Sequence, residues 1–165
     1  MMKKKWTVIF FVLFAAAIVV ADQWTKQLVV ENIALYGHVR VIDGLFSLTY
    51  VRNTGAAFSS FEGMQWLFAL VFAVMTVAVA LEYFWKNMGF TTFERWCIAA
   101  IYGGGLGNMI DRLRLGYVVD MISADFISFP VFNVADIFIT CGCIAMMASL
   151  FLFNKEFWKD EKKKK

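Results

Sequence analysis

The sequence predicts an all-α integral membrane protein with four transmembrane helices and a small β-rich region outside the membrane, between the first two helices. The chain has 165 residues, of which 61% are hydrophobic, and a soluble domain of this size is normally less apolar. Its apolar residues also form runs that approach the roughly 20 residues needed to cross a bilayer. With one proline and no Ser/Gly-rich linker, a single domain over residues 1–165 is expected.

The first predicted helix covers about residues 6–26. Its apolar part, Trp6–Ala21, follows three lysines, which is also the pattern of a cleaved secretory signal peptide. Three further apolar runs follow, and the segment continues into DQWTK without a turn signal. An uncleaved membrane helix is therefore favoured.

The next segment, Glu31–Gly63, is polar enough to lie outside the bilayer. Within it, VRVIDGLFSLTYVRN alternates imperfectly around the turn dipeptide Asp43-Gly44. This pattern favours short strands in a small sheet resting on the membrane surface. An irregular amphipathic loop is the alternative.

The remaining predicted helices cover about residues 64–85, 96–111 and 134–153, followed by a basic tail over 154–165. Trp66 and Trp85 are expected to anchor the second helix at the two interfaces, and Glu82 to reach the headgroups. The third helix contains a glycine run, at Gly103, Gly104, Gly105 and Gly107. Small residues let membrane helices approach closely, whereas a phosphate-binding loop would need a preceding strand and a following Gly-Lys-Ser/Thr.

The basic residues predict the topology. Most of the lysines lie in MMKKK and KDEKKKK at the two ends of the chain. The positive-inside rule therefore places both termini in the cytoplasm and the polar helix ends on the outer face. The net charge of +3 comes without an interleaved basic and aromatic face, so nucleic acid is not an expected partner.

Cysteine and histidine chemistry has little support. The three cysteines, Cys97, Cys141 and Cys143, all fall inside apolar runs. They are interpreted as packing residues and not as disulfide partners or zinc ligands. His38 is the only histidine and has no Ser or Cys pattern near it. Carboxylates without a histidine cluster make a zinc site improbable.

The stretch Val118–Asp136 places Asp120, Asp125 and Asp136 beside strongly apolar sequence. Carboxylates in such a setting are costly and are functional candidates. Asp120 and Asp136 are interpreted as partners for each other. Two close carboxylates cannot easily both ionise, so one keeps a proton and the two can share acid and base roles. Such a pair performs chemistry, carries protons, or only holds helices together.

Polar clusters occur at each predicted outer helix end. Asp22 and Lys26 are four residues apart and can pair on a continuing helix. Asn133, three residues before Asp136, can cap the fourth helix or bind a substrate carbonyl. Asp111 and Arg112 follow the third helix. Snorkelling side chains and interfacial salt bridges are the alternative interpretation of each cluster alone.

The ordered set DQWTK, NTGAAF, GGGLGNMIDR followed by GYVVDMI, and FNVAD resembles the lipoprotein signal peptidases (signal peptidase II) over nearly the whole chain. The resemblance implies an aspartyl endopeptidase of the bacterial cytoplasmic membrane, working near its outer face. Such enzymes cut prolipoproteins just before a diacylglyceryl-modified cysteine. Diacylglyceryl-modified prolipoproteins and membrane lipids would be the partners, the enzyme would be a monomer, and no cofactor would be needed.

By motif, the resemblance implies that Asp120 and Asp136 are catalytic. The implied supporting residues are Asp22, Lys26, Asn53, Gly55, Asn108, Asp111, Arg112, Asn133 and Ala135. The family usually has Phe after the first catalytic aspartate, whereas this chain has Met121, and the sequence DFI makes Asp125 a competing candidate. The preceding GYVV and the spacing from GNMIDR favour Asp120.

Two other functions use similar residues. A proton-coupled transporter would also have membrane carboxylates and glycine-rich helices, but it should show inverted repeats or charges near the bilayer midplane. A non-catalytic assembly protein would use the acids only to pair with Arg112 and Arg114. The gathering of the acids at one end of four predicted helices favours the peptidase.

Overall fold

The computed structural model describes residues 4–55, 61–85 and 88–154. The elements in chain order are α1 (Lys4–Asn32), β1 (His38–Ile42), β2 (Phe46–Asn53), α2 (Gln65–Ala80), α3 (Thr92–Leu115), β3 (Val118–Ala124) and α4 (Val134–Ala148). A π-helical turn extends α2 over Leu81–Trp85, and another extends α4 over Ser149–Phe153. Nearly all of the predicted basic tail, residues 155–165, lies outside the described residues.

Three helices in the described part of the chain are long and apolar enough to cross a membrane. They are Trp6–Asn32, Gln65–Trp85 and Val134–Phe153. The fourth long helix, α3, is not among them. It is less apolar because it contains the glycine run and has charged residues towards both ends.

The central element is α3, which packs against α1, α2 and α4. Its glycines make the close approach possible. A Cβ atom at Gly103 would lie 3.0 Å from the backbone of Ala15 in α1, and one at Gly104 would lie 2.5 Å from the carbonyl oxygen of Ala135 in α4. The predicted packing role of the glycine run agrees with these distances.

Two helices are longer than the sequence predicts. The expected bounds of about 96–111 for α3 are too short, because a capping box of Thr91 and Glu94 starts the helix and a left-handed Gly116 ends it. Asp111 and Arg112 therefore lie within α3 rather than at or beyond its end. Similarly, α1 continues to Asn32 instead of ending near residue 26. A helix ends at a backbone signal and not where hydropathy falls.

The sheet is antiparallel with strand order β1-β2-β3. The short strands predicted around Asp43-Gly44 are present as β1 and β2, which form a hairpin with Gly44 at φ +70°. The sequence placed β structure only between the first two helices, which is wrong for β3, because this strand comes from the connection between α3 and α4. The first four residues of β3 are all buried, so the strand lacks the alternation that identifies a half-buried strand.

The sheet is fixed to α1 by a small apolar core. Val29 of α1 packs with Tyr50 of β2 and with Val119 and Met121 of β3. Met121, the residue that departs from the family pattern, is thus a buried packing residue. The core holds β3, and with it Asp120, against the end of α1.

The opposite end of the helices carries a separate polar cluster. Glu82, which the sequence predicted to reach the headgroups, is buried instead and accepts two hydrogen bonds from Arg95, at 3.1 and 2.9 Å. Glu94 accepts from Ser149 at 2.8 Å and from Asn154 at 2.7 Å. These bonds join both π-helical turns to the start of α3.

The glycine contacts predict a difference between two neighbouring substitutions. Gly104→Ala should lower the free energy of unfolding by about 1–3 kcal/mol, because its methyl group meets backbone that cannot move aside. Gly105→Ala is the matched control, since its Cβ would meet the flexible end of Met75 at 2.9 Å and the ring of Phe72 at an ordinary contact distance of 3.5 Å. Thermal unfolding in detergent measures both. Equal destabilisation by the two substitutions would contradict the assignment of Gly104 to helix contact.

Candidate active site

Asp136 is held in the first turn of α4 by a capping box. Asn133 is the N-cap, and its side-chain oxygen accepts from the Asp136 N–H at 3.0 Å. The Asn133 N–H donates in return to Oδ2 of Asp136 at 3.1 Å. Capping is therefore the role the structure shows for Asn133, and it fixes the direction of the Asp136 carboxylate.

Asp120 reaches the same place from the sheet. Its side chain is 3% exposed, and its strand β3 pairs with β2 so that Asn53 lies opposite Val118. Asn53 donates through Nδ2 to Oδ2 of Asp120 at 2.8 Å. Asn133 donates through Nδ2 to Oδ1 of Asp120 at 2.7 Å. The amide of Asn133 thus links the helix and the strand that carry the two acids.

Asn108 of α3 completes the bonding of the pair. Its Nδ2 donates to Oδ1 of Asp136 at 2.7 Å. Its Oδ1 accepts from Lys26 at 2.9 Å and from Asn133 at 3.1 Å, which requires the amide to point its nitrogen at Asp136. Each of the four carboxylate oxygens of Asp120 and Asp136 therefore accepts a hydrogen bond from an asparagine.

A buried ion cluster lies behind the asparagines. Lys26 Nζ is 2.8 Å from Asp22 and 3.0 Å from Asp111, and all three side chains are at most 4% exposed. Asp22 also accepts from the Ala135 N–H at 3.0 Å, and Asp111 from the Val119 N–H at 3.1 Å. The cluster therefore joins α1, α3, β3 and α4 immediately beside the pair.

Arg112 connects α3 to the segment after β2. Its Nη2 donates to the Gly55 carbonyl at 2.9 Å, and its guanidinium carbon lies 4.2 Å from the ring centre of Phe68 in α2. Gly55 in turn donates its N–H to Oδ1 of Asn53 at 2.9 Å. All eleven residues that the sequence selected are thus connected in one network.

Gln23 is a member of the network that the sequence did not select. Its Nε2 donates to Oδ1 of Asp111 at 2.8 Å and to the Gly107 carbonyl at 3.2 Å. The signal was available, because Gln23 precedes Lys26 by three residues and so shares a helix face with it.

Asp125, the competing candidate, belongs to a different part of the sheet. It accepts a hydrogen bond from the Ser47 hydroxyl, and its N–H bonds the Leu45 carbonyl at 3.0 Å. These contacts hold the end of β3 to β2. Over the described ranges, no group of three or more His, Cys, Asp or Glu side chains is arranged to hold a metal ion.

Burial raises the pKa of Asp120 from its ordinary value of 3.8 to about 6, and the charge of Asp136 adds to the effect. Hydrogen bonds from Asn53 and Asn133 oppose it. Asp120 therefore keeps its proton closer to neutral pH than an ordinary aspartate does. One protonated and one ionised carboxylate can together activate a water and protonate a leaving group.

Comparison with known proteins gives one consistent family. The family model for signal peptidase (SPase) II matches residues 14–152. The chain is 44% identical over 144 residues to the lipoprotein signal peptidase of Streptococcus agalactiae, covering 87% of this chain and 88% of that protein. It is 43% identical over 141 residues to the lipoprotein signal peptidase of Lactococcus lactis subsp. cremoris, covering 84% and 90%.

A solved structure described as a bacterial membrane enzyme, determined by the in meso method at 2.3 Å resolution, superposes with a TM-score of 0.80 at 30% identity. The match covers 94% of this chain and 92% of that chain. Two buried or partly buried carboxylates linked through shared asparagines, beside helices that can span a membrane, fit an aspartic protease of the membrane. This chain belongs to the signal peptidase II family.

The ion cluster predicts a large stability effect. Lys26→Met should lower the free energy of unfolding by about 3–5 kcal/mol, because it leaves Asp22 and Asp111 buried without their cation. Arg40→Gln is the control, since it breaks only the exposed Arg40–Asp43 pair of 3.3 Å and should cause no measurable change. Denaturation in detergent compares the two, and a similarly small effect of both would contradict the role of the cluster.

The raised pKa of Asp120 predicts a pH dependence of stability. The folded protein binds this proton up to about pH 6, whereas the unfolded chain releases it near 3.8, so stability should increase as the pH falls between these values. The unfolding midpoint of the wild type should therefore rise between pH 7 and pH 5 relative to that of Asp120→Asn. Parallel pH profiles for the two proteins would show that the pKa of Asp120 is not raised.

Proposed function

We propose that this chain cuts diacylglyceryl-modified prolipoproteins just before the lipid-modified cysteine, with Asp120 and Asp136 as the catalytic pair. Removal of signal peptides from prolipoproteins is the activity of its family. The observation that carries the residue assignment is the bonding of the pair: the asparagines hold both carboxylates in fixed orientations, each oxygen accepting one bond.

In the proposed reaction Asp120 enters protonated and Asp136 ionised. Asp136 takes a proton from a water, whose oxygen bonds to the carbonyl carbon before the cysteine, while Asp120 gives its proton to the carbonyl oxygen. The C–N bond then breaks, and the cysteine nitrogen receives the proton held by Asp136. The new carboxyl returns a proton to Asp120, so the pair ends as it began.

We further propose that α3 is the fourth membrane-spanning helix and that both termini lie in the cytoplasm. The packing of α3 between α1, α2 and α4 supports the first part, and the concentration of lysines at the chain ends supports the second. In this orientation the catalytic pair and the sheet lie at the outer face. The eleven network residues come from one chain, so a monomer is sufficient for catalysis.

Membrane lipids and the acyl chains of the substrate would meet the sheet. Exposed apolar side chains occur along β1 and at the start of β2, at Val39, Val41, Ile42, Leu45 and Phe46. In contact with the outer leaflet they would be removed from water, which is favourable. The same surface would cover the diacylglyceryl group while the peptide lies at Asp120. Membership of this peptidase family leaves the alternative function, a proton-coupled transporter, without support.

The catalytic assignment predicts the effect of three Asp→Asn substitutions. Asp120→Asn and Asp136→Asn should each reduce cleavage of a diacylglyceryl-modified prolipoprotein by at least about a thousandfold, because each acid has its own proton transfer. Cleavage by the purified protein in detergent measures the effect.

Asp125→Asn is the matched control, because an asparagine oxygen still accepts from the Ser47 hydroxyl. It should leave cleavage close to that of the wild type. Full activity in either Asp120→Asn or Asp136→Asn would refute the pair. Loss of activity in Asp125→Asn, with folding intact, would transfer the assignment to that residue.

A further inference from the structure

A cleft of about 390 Å³ opens beside Asp120. One wall is the end of β2 with residues 53–55, the other is the connection 128–131 that precedes α4, and Glu62 also lines it. Among the described lining residues, none belongs to α1, α2, α3 or α4. A chain segment in this cleft has therefore left the layer of membrane helices.

This position selects one part of the substrate. The signal peptide on the amino side of the cut is apolar and needs the bilayer, as do the acyl chains on the cysteine. Only the residues that follow the cysteine must leave the membrane. The cleft therefore fits the first few residues of the mature lipoprotein.

Among the described residues that line this cleft, Arg52 is the cation, and Glu62 and Asp120 are the carboxylates. Its Nε donates to the Tyr50 hydroxyl at 3.0 Å, and its guanidinium carbon lies 4.8 Å from the ring centre of Tyr117. Within the described residues it pairs with no carboxylate. Glu62, by contrast, already accepts a hydrogen bond from the Thr54 hydroxyl at 2.8 Å.

These contacts make Arg52 ready to bind an anion. The aromatic ring and the Nε bond restrict the guanidinium, so little side-chain freedom remains to be lost on binding. The Nη atoms stay available as donors, and a pair of parallel N–H groups matches a carboxylate. A lysine side chain of the substrate in the same position would be repelled by Arg52.

We propose that Arg52 is a specificity-determining residue that selects acidic over basic side chains directly after the lipid-modified cysteine. The proposal rests on the proposed function, since it needs the cut to occur at Asp120. The proposal specifies which part of the substrate the protein recognises outside the membrane, and which charge it prefers on that part.

The test uses three diacylglyceryl-modified peptides that differ only in the two residues after the cysteine, which are Asp-Asp, Ser-Ser or Lys-Lys. At low ionic strength the wild type should cleave the Asp peptide with a kcat/KM about fivefold above that for the Lys peptide, as expected for an exposed charge pair. This ratio should shrink as salt is added. In Arg52→Gln the ratio should fall to about one.

Three variants separate specificity from structural damage. Arg40→Gln removes the same side chain from β1 of the same sheet, outside the cleft, and should keep the wild-type ratio. Arg52→Lys keeps the charge and should retain most of the ratio. Glu62→Gln removes the negative charge that opposes Arg52 in the cleft and should raise the ratio. The Ser peptide should be cleaved at a similar rate by all of these proteins.

The outcomes are distinguishable. Failure of the wild type to cleave any peptide would overturn the proposed function itself. Equal cleavage of the Asp and Lys peptides by the wild type, or an unchanged ratio in Arg52→Gln, would overturn only the role of Arg52. In Arg52→Gln, kcat/KM could instead fall equally for all three peptides, by an amount that depends on the anionic lipid content. That result would assign Arg52 to binding lipid headgroups and would also overturn its role in specificity.

Discussion

The buried ion cluster around Lys26 is the interaction on which the rest of the structure depends. A lysine removed from water is costly unless carboxylates and hydrogen bonds replace the lost hydration, and here Asp22, Asp111 and Asn108 provide both. Because Asp22 also holds the backbone of α4, and Asp111 that of β3, satisfying one cation aligns four elements. The same cation orients the amide of Asn108, so the alignment extends to Asp136.

The glycines of α3 are a condition for this cluster and not only for helix packing. A Cβ atom at Gly107 would lie 2.6 Å from Oδ2 of Asp22, the oxygen that contacts Lys26. Any larger residue would therefore push the carboxylate away from its cation. Gly104 has the corresponding role towards Ala135, whose N–H binds the other oxygen of Asp22. Close helix contact and the burial of charge are thus parts of one arrangement.

Neutral amides separate Asp120 and Asp136 from the buried cation. Lys26 contacts Asn108, which contacts Asp136, while Asp120 receives its bonds from Asn53 and Asn133. Direct contact with a cation would favour the ionised form of Asp120. Because an asparagine lies between them, the charge of Lys26 lowers the pKa of Asp120 less than burial raises it. The asparagines therefore fix the geometry of the acids while leaving their proton exchange possible.

The sequence by itself determined the membrane class, the short strands around Asp43-Gly44, the glycine contact and the Asp22–Lys26 pair, because hydropathy, turn dipeptides and i, i+4 spacing depend on neighbours in the chain. The other residues of the network came from the resemblance of the ordered motifs to a family. It did not reveal β3 or the full length of α3. The first four residues of β3 are buried without alternation, with Val119 and Met121 packed against Val29 of α1, and the ends of α3 depend on capping bonds. The sequence favoured Asp120 over Asp125 but did not show what surrounds either side chain. Only the folded chain places Asp120 beside Asn53 and Asn133 and places Asp125, in the turn after β3, beside Ser47, because these contacts join residues that are far apart in the sequence.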